Sequence, residues 1–188
     1  MYAQLRLDPA ETVIRVFFRG PGQPANQAHL ADFERRPRVK GKKEGGLSFC
    51  RPVLMSIRHL VWVTRNRDRD LPRGLAMTKA SNFLDRGYRF FGEAESAGHV
   101  CLHCSSCDTA EAACACTDRP CPFDPLDSLD DDEARESLAD MMTVIVEAAP
   151  TDEILNVFGQ DVDESNVTTA NAEYIRRWTE HKKASSGY

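Results

Sequence analysis

The sequence predicts an α+β protein, and three observations carry that expectation. β-Branched and aromatic runs dominate the first half, six cysteines crowd a short middle stretch, and the last third is acidic and carries helical signals. At 188 residues, with 41% hydrophobic and 28% charged residues, the chain has a globular composition and the length to bury a sizeable core. The expected organisation is a basic strand-rich body over residues 1–92, a cysteine-rich metal-binding segment over 93–125 and an acidic helical part over 126–188, packed as one unit.

Taken in order, "TVIRVFF" (Thr12–Phe18) is β-branched and aromatic and ends at Gly20-Pro21-Gly22, which predicts a strand and then a turn. Residues 34–46 carry almost no apolar side chains and predict a solvated loop. "VLMSIRHLVWV", residues 53–63, predicts the strongest strand, with His59, Val61 and Val63 alternating against Leu60, Trp62 and Thr64, and with Trp62 in the core. A short helix is expected from an N-cap at Thr78 to Gly87 as its left-handed C-terminal residue, followed by a strand at "YRFF" that leads into the cysteines. Residues 128–150 predict one long helix, opened by Ser128 and Asp131 and striped with Leu138, Met141, Met142, Ile145 and Ala148. A second helix over residues 151–158 starts at Thr151, has acids in its first turn and closes at Gly159. A third begins near Thr169, buries Ile175 and Trp178, and ends in basic residues before a disordered tail.

Charge is divided as unevenly as structure. Residues 1–91 hold 18 Lys and Arg against 8 Asp and Glu, a net of +10, whereas residues 92–188 hold 6 against 21, a net of -15. A basic half attracts phosphates; an acidic half repels them, mimics them or neutralises the basic half. The densest cationic stretch is Arg35, Arg36, Arg38, Lys40, Lys42 and Lys43, which fits a phosphate backbone through counterion release or a nuclear localisation signal. The alternative is a solvated loop. Arg65, Arg67 and Arg69 follow, diluted by Asp68 and Asp70.

The sulfur is more concentrated still. Six of seven cysteines, Cys101, Cys104, Cys107, Cys114, Cys116 and Cys121, fall between residues 99 and 122, together with His99 and His103. Two residues between cysteines let a tight turn aim both sulfurs at one ion, about 2.3 Å from each when the ion is zinc. Structural zinc is therefore the expected cofactor, with an iron–sulfur cluster and disulfides as alternatives. Cys101, Cys104, Cys107 and Cys121-Pro122 resemble the bacterial ferredoxin run, although thirteen residues separate the last two cysteines where that run has three. The spacing Cys104, Cys107, Cys114 is similar to the first half of a fungal-type two-zinc, six-cysteine cluster, whose second half Cys116 and Cys121 do not complete. Cys50 stands apart and is expected to be a buried apolar residue.

Catalytic signatures are missing where they would be expected. Neither the His-x-Glu and Pro-Cys-x-x-Cys strings of a zinc deaminase nor His-Glu-x-x-His occurs, and no phosphate-binding glycine loop or Gly-x-Ser-x-Gly elbow is present. "DVDESNVTTANAE" opens like a calcium-binding loop, but Asn166 replaces the required glycine and Ala172 the bidentate glutamate. The order Arg15, Ser48, then Glu93 and Glu95 resembles the Arg, Ser, Glu order of ADP-ribosyltransferases, which would imply a glutamate that orients a ribose for transfer.

Arg6, Asp8, Glu11 and Arg15 interrupt every apolar run near the start, and no run approaches the roughly 18 residues of a membrane span. The expected setting is intracellular, cytoplasmic or nuclear, without a membrane partner and with reduced thiols. The expected function is that of a zinc-stabilised binding or regulatory protein that contacts nucleic acid through its basic half. Two alternatives stand beside it: an adaptor that binds protein through acidic helices, and an enzyme of ADP-ribosyltransferase or iron–sulfur type.

Overall fold

The computed structural model describes residues 2–33, 47–65, 71–93, 96–103 and 132–187. Strands β1 (Tyr2–Leu5), β2 (Thr12–Phe18), β3 (Leu47–Cys50), β4 (Arg73–Lys79), β5 (Arg89–Glu93), β6 (Ser96–His103) and β7 (Thr143–Ala149) form one sheet in the order β1-β5-β6-β3-β2-β4-β7, with every pairing antiparallel. The helices are α1 (Ile57–Thr64), α2 (Ser81–Leu84), α3 (Asp132–Asp140), α4 (Thr151–Phe158) and α5 (Val167–Ser185), with a 3-10 turn at Leu30–Phe33. The α+β class is therefore present, but strands do not stop at the basic half: β7, from the acidic third, pairs with β4 at the edge of the same sheet.

Side-chain alternation splits the interior into two cores. Val13, Leu47, Phe49, Phe90, Val100 and Leu102 pack with Phe33, Phe83 and Leu138 from the 3-10 turn, α2 and α3. Ile14, Leu75 and Val146 pack with Ile57, Leu60 and Val61 of α1, Phe158 of α4 and Tyr174 and Trp178 of α5. The two clusters draw on alternate residues of β2, since Val13 belongs to one and Ile14 to the other. In the first cluster Phe49 meets Phe83 and Phe90 edge to face at 5.2 and 6.1 Å, contacts that contribute about 0.5–1.5 kcal/mol each beyond area burial.

Three expected elements are corrected. Residues 53–63 are not a strand: a turn leads to Ser56, whose Oγ accepts from the His59 amide, and α1 follows. Ile57, Leu60, Val61 and Thr64 are its buried residues, at i, i+3, i+4 and i+7. A short β-branched run satisfies both periods, and packing of α1 on α4 and α5 selects the helical one. Trp62 consequently faces water, 49% exposed, instead of entering the core. Residues 128–150 are not one helix either. The described part divides into α3, closed by the Met142 amide on the Ala139 carbonyl, and β7, whose Thr143-Val144-Ile145-Val146 run prefers the extended state. Thr78 caps no helix; it lies in β4, and α2 is a single turn whose exit still passes through Gly87 at φ +83°.

The other helices keep their expected signals. Asn166 caps α5 by accepting from the Thr169 amide at 3.1 Å, and Lys182 and Lys183 sit in its last turn. α4 starts after Pro150, carries Asp152 and Glu153 in its first turn and exits through Gly159 at φ +70°. Trp178 is buried, Ile175 packs against the same core, and His181 pairs with Glu153 at 3.1 Å. Among the described residues, no helix is long and apolar enough to cross a membrane.

One buried ion pair holds the route from β2 to the 3-10 turn. Arg19 donates Nη1 and Nη2 to the two Asp32 oxygens at 2.6 and 2.8 Å, with side chains only 5% and 6% exposed. Its guanidinium also donates to the carbonyls of Pro24 and Gln27, so one cation gathers a whole loop. Removing a single partner of a buried pair leaves an uncompensated charge. Asp32→Ala is expected to lower unfolding free energy by about 3–5 kcal/mol, read as a fall in the urea midpoint. The double change Arg19→Met with Asp32→Leu is expected to lose less than Asp32→Ala; an equal or larger loss would show that the pair is not what holds the loop.

Candidate metal-binding and nucleic-acid-binding end

Antiparallel pairing decides which chain ends meet. β3 begins at Leu47, opposite Leu102 near the end of β6, and β5 begins at Arg89, opposite His103. β2 runs antiparallel to β3, so its end at Phe18 lies on the same side, opposite the first residue of β4, Arg73, which also pairs with Ala149 at the end of β7. One end of the sheet therefore receives residues 34–46, which enter at Leu47, and releases residues 104–131, which leave from His103. The far ends of these two stretches are neighbours as well: the 3-10 turn that ends at Phe33 packs on α3, which begins at Asp132.

The sequence-predicted residues divide accordingly. Arg35, Arg36, Arg38, Lys40, Lys42 and Lys43 lie outside the described residues, as do Cys104, Cys107, Cys114, Cys116 and Cys121. His99, Cys101 and His103 are described, and all three belong to β6. Val100 and Leu102, between them, are fully buried in the first core. A period of two sends His99, Cys101 and His103 to the opposite face, with Cα atoms about 7 Å apart from one to the next. The His103 ring lies edge-on to Phe91 at 4.7 Å, which fixes its plane.

β3 brings a further soft ligand to that face. Cys50 pairs directly with His99, and Ser48 with Cys101. Cys50 is buried, as expected, in the second core; the signal that placed it beside a histidine is register, which a lone cysteine in "LSFC" does not disclose. Among the described residues no three His, Cys, Asp or Glu side chains are gathered closely enough to hold a metal ion. β6 thus carries His99, Cys101 and His103 on one face, and Cys104 follows directly in the sequence.

Arg15 and Ser48 meet, whereas Glu93 lies on a strand two places away from β3 in the sheet. Arg15 donates Nε to the Asp32 carbonyl at 2.6 Å and Nη1 to the Ser48 carbonyl at 2.8 Å, with its guanidinium 5.4 Å from the centroids of Phe33 and Phe49. Glu93 is on β5, with β6 between it and β3, and Glu95 lies outside the described residues. Arg15 and Ser48 are adjacent, and the arginine donates to backbone oxygens that hold the 3-10 turn against the sheet.

α1 reaches the same end from the other side. The Arg51 amide donates to the Gly98 carbonyl at 2.8 Å, and its guanidinium grips both oxygens of Glu11 at 2.6 and 3.0 Å. At the start of α1 the Ile57 amide donates to Asn171 Oδ1, and Ser56 and Tyr174 both donate to Glu164 Oε1, at 2.9 and 2.7 Å. Burial, then the bond to the Glu164 carboxylate, push the Tyr174 phenol up to about 12. At the other end of α1 the Arg65 carbonyl accepts from Arg73 Nη2 at 3.2 Å, which ties the helix to the first residue of β4.

No family model matches the chain, and neither the curated proteins nor the solved structures contain a detectable relative.

The Tyr174 shift has a defined consequence. An unfolded tyrosine ionises near 10, so the contribution of its neutral, bonded form is complete below that pH and is lost as pH rises from about 10 to 12. Tyr174→Phe is expected to cost about 1.5–3 kcal/mol at pH 8, the range for a hydrogen bond to a charged group. The same variant should show a shallower decline in urea midpoint above pH 10 than the parent protein; parallel declines would contradict the assignment.

Proposed function

We propose that the protein is a metal-stabilised nucleic-acid-binding protein whose cysteine-rich segment and basic segment work as one surface at the Leu47 and His103 end of the sheet. The single observation that supports this reading is the pairing of Leu47 with Leu102, which puts side by side the strand ends bordering the cation-rich residues 34–46 and the cysteine-rich residues 104–131. His99, Cys101 and His103 share one face of β6 and supply the ligands that the strand itself contributes. Thiolates from Cys104, Cys107, Cys114, Cys116 and Cys121 complete the shell. Zinc is the ion that a mixed sulfur and imidazole set of this kind suits best, at about 2.3 Å to sulfur and 2.0 Å to nitrogen.

The role of the metal here is structural. A shell rich in thiolate has no open position for a reacting water, and its effect is to order the segment between β6 and α3. Residues 35–43 lead into Leu47, beside the strand end from which the cysteine-rich segment leaves, and their cations engage phosphates and release counterions.

Elemental analysis of the purified chain tests the metal. We expect zinc in stoichiometric amount with no visible absorption band, and a marked loss of bound zinc in the double variant Cys101→Ala with His103→Ala. Full zinc content in that variant would remove β6 from the site, and a coloured iron-containing protein would replace zinc by an iron–sulfur cluster. For the cations, duplex affinity measured against salt should have a slope that shrinks by up to about 5 when all six are changed to Gln, at roughly 0.9 per phosphate contact. An unchanged slope would leave residues 35–43 as a solvated loop.

A further inference from the structure

We propose that the exposed Trp62 and His59 pair on α1 is a stacking platform for the bases of single-stranded nucleic acid, an inference that rests on the nucleic-acid reading above. The two tryptophans of the chain are treated in opposite ways: Trp178 is 2% exposed and belongs to a core, whereas Trp62 is 49% exposed. The His59 ring is also exposed and stacks on the Trp62 ring, with centroids 6.2 Å apart and planes inclined by 28°. The two ring planes are therefore near to parallel. Val63 lies beside it on the helix, and Val53 and Leu54 are exposed in the turn that precedes α1. An exposed aromatic pair of this kind contributes little to folding and is open to a ligand.

Charge identifies the occupant. Between residues 51 and 70 the sequence has five arginines, Arg51, Arg58, Arg65, Arg67 and Arg69, against two acids, Asp68 and Asp70. Arg51 is committed to Glu11, and Arg58 Nε to the Gly159 carbonyl, but Arg65 is exposed one turn beyond Trp62. The Arg73 bond to the Arg65 carbonyl sets this end of α1 next to the strand ends where the cationic segment enters. Glu164 sits at Ser56, at the opposite end of the helix. An aromatic face with an exposed arginine one turn away matches the two parts of a nucleotide, base and phosphate, better than it matches a purely apolar partner. Bases in a duplex are already stacked on one another and cannot use such a face, so the platform selects unpaired strands.

Titration of the full chain with a short oligothymidylate at low salt, followed by tryptophan emission, tests the inference. Trp62 is the exposed emitter, so binding should quench it. Trp62→Ala, a surface change checked for retained fold by circular dichroism, should weaken binding about 5- to 150-fold, while Trp62→Phe should keep most of the affinity. Parental affinity in Trp62→Ala would overturn the platform alone if the parent binds and the six-Gln variant is weakened. A parent that binds neither single strand nor duplex would remove the nucleic-acid reading as a whole. Conversion of a dimer to a monomer by Trp62→Ala, with oligothymidylate affinity unchanged, would assign the face to a second copy of the chain and overturn the inference.

Discussion

The register of β3 on β6 is the constraint on which the functional end depends. Leu47 faces Leu102 and Phe49 faces Val100, and all four side chains are essentially inaccessible to solvent within one core. A slip of one residue would turn Cys101 and His103 into that core and push Leu102 into their place, at the cost of several buried apolar side chains. The same two apolar pairs therefore set the position of the strand and the direction in which its histidines and thiol are presented. The hydrophobic pattern sets which residues of β6 face the core; an ion held at its His103 end would add stability there without changing that register.

A second layer of control comes from arginines that serve the fold. Arg19 and Arg15 both act on Asp32, one through its carboxylate and one through its carbonyl, and so fix the 3-10 turn from which residues 34–46 depart. Arg51 is held by Glu11 on the approach to α1. The excess of cations in the first half is accordingly not one uniform surface. Five of its arginines, Arg15, Arg19, Arg51, Arg58 and Arg73, donate to acceptors within the fold, so the charge of this half is not all presented at the surface. This division is why a net charge alone says little about where a polyanion would lie.

Much of the architecture was legible where local signals were strong and single-valued. "TVIRVFF", "YRFF", the Gly159 exit and the basic last turn of α5 each have one reading, and each element is present. Residues 53–63 failed because eight β-branched, aromatic and apolar residues fit a period of 3.6 as well as a period of 2, and the choice was made by α4 and α5, far along the chain. Residues 128–150 failed because a helical stripe was extended across Met142 into a β-branched run that pairs with β4 instead. β4 itself was missed: "RGLAMTK" has a buried Arg73 and little alternation, being covered on both faces. At the site, composition located the cysteines and cations, but their common root is a property of strand pairing across 55 residues of sequence, from Leu47 to Leu102. The exposure of Trp62 was invisible for the same reason as α1.

The claim that β6 and the metal form one unit can be tested most directly by amide hydrogen exchange on the zinc-loaded chain and on the chain stripped with a chelator. Loss of protection is expected at Leu47 and from Val100 to His103 on stripping, with the amides of α4, α5 and β7 unchanged. Equal protection of β6 in both states would contradict the account, because a strand that contributes ligands cannot be indifferent to the ion they hold.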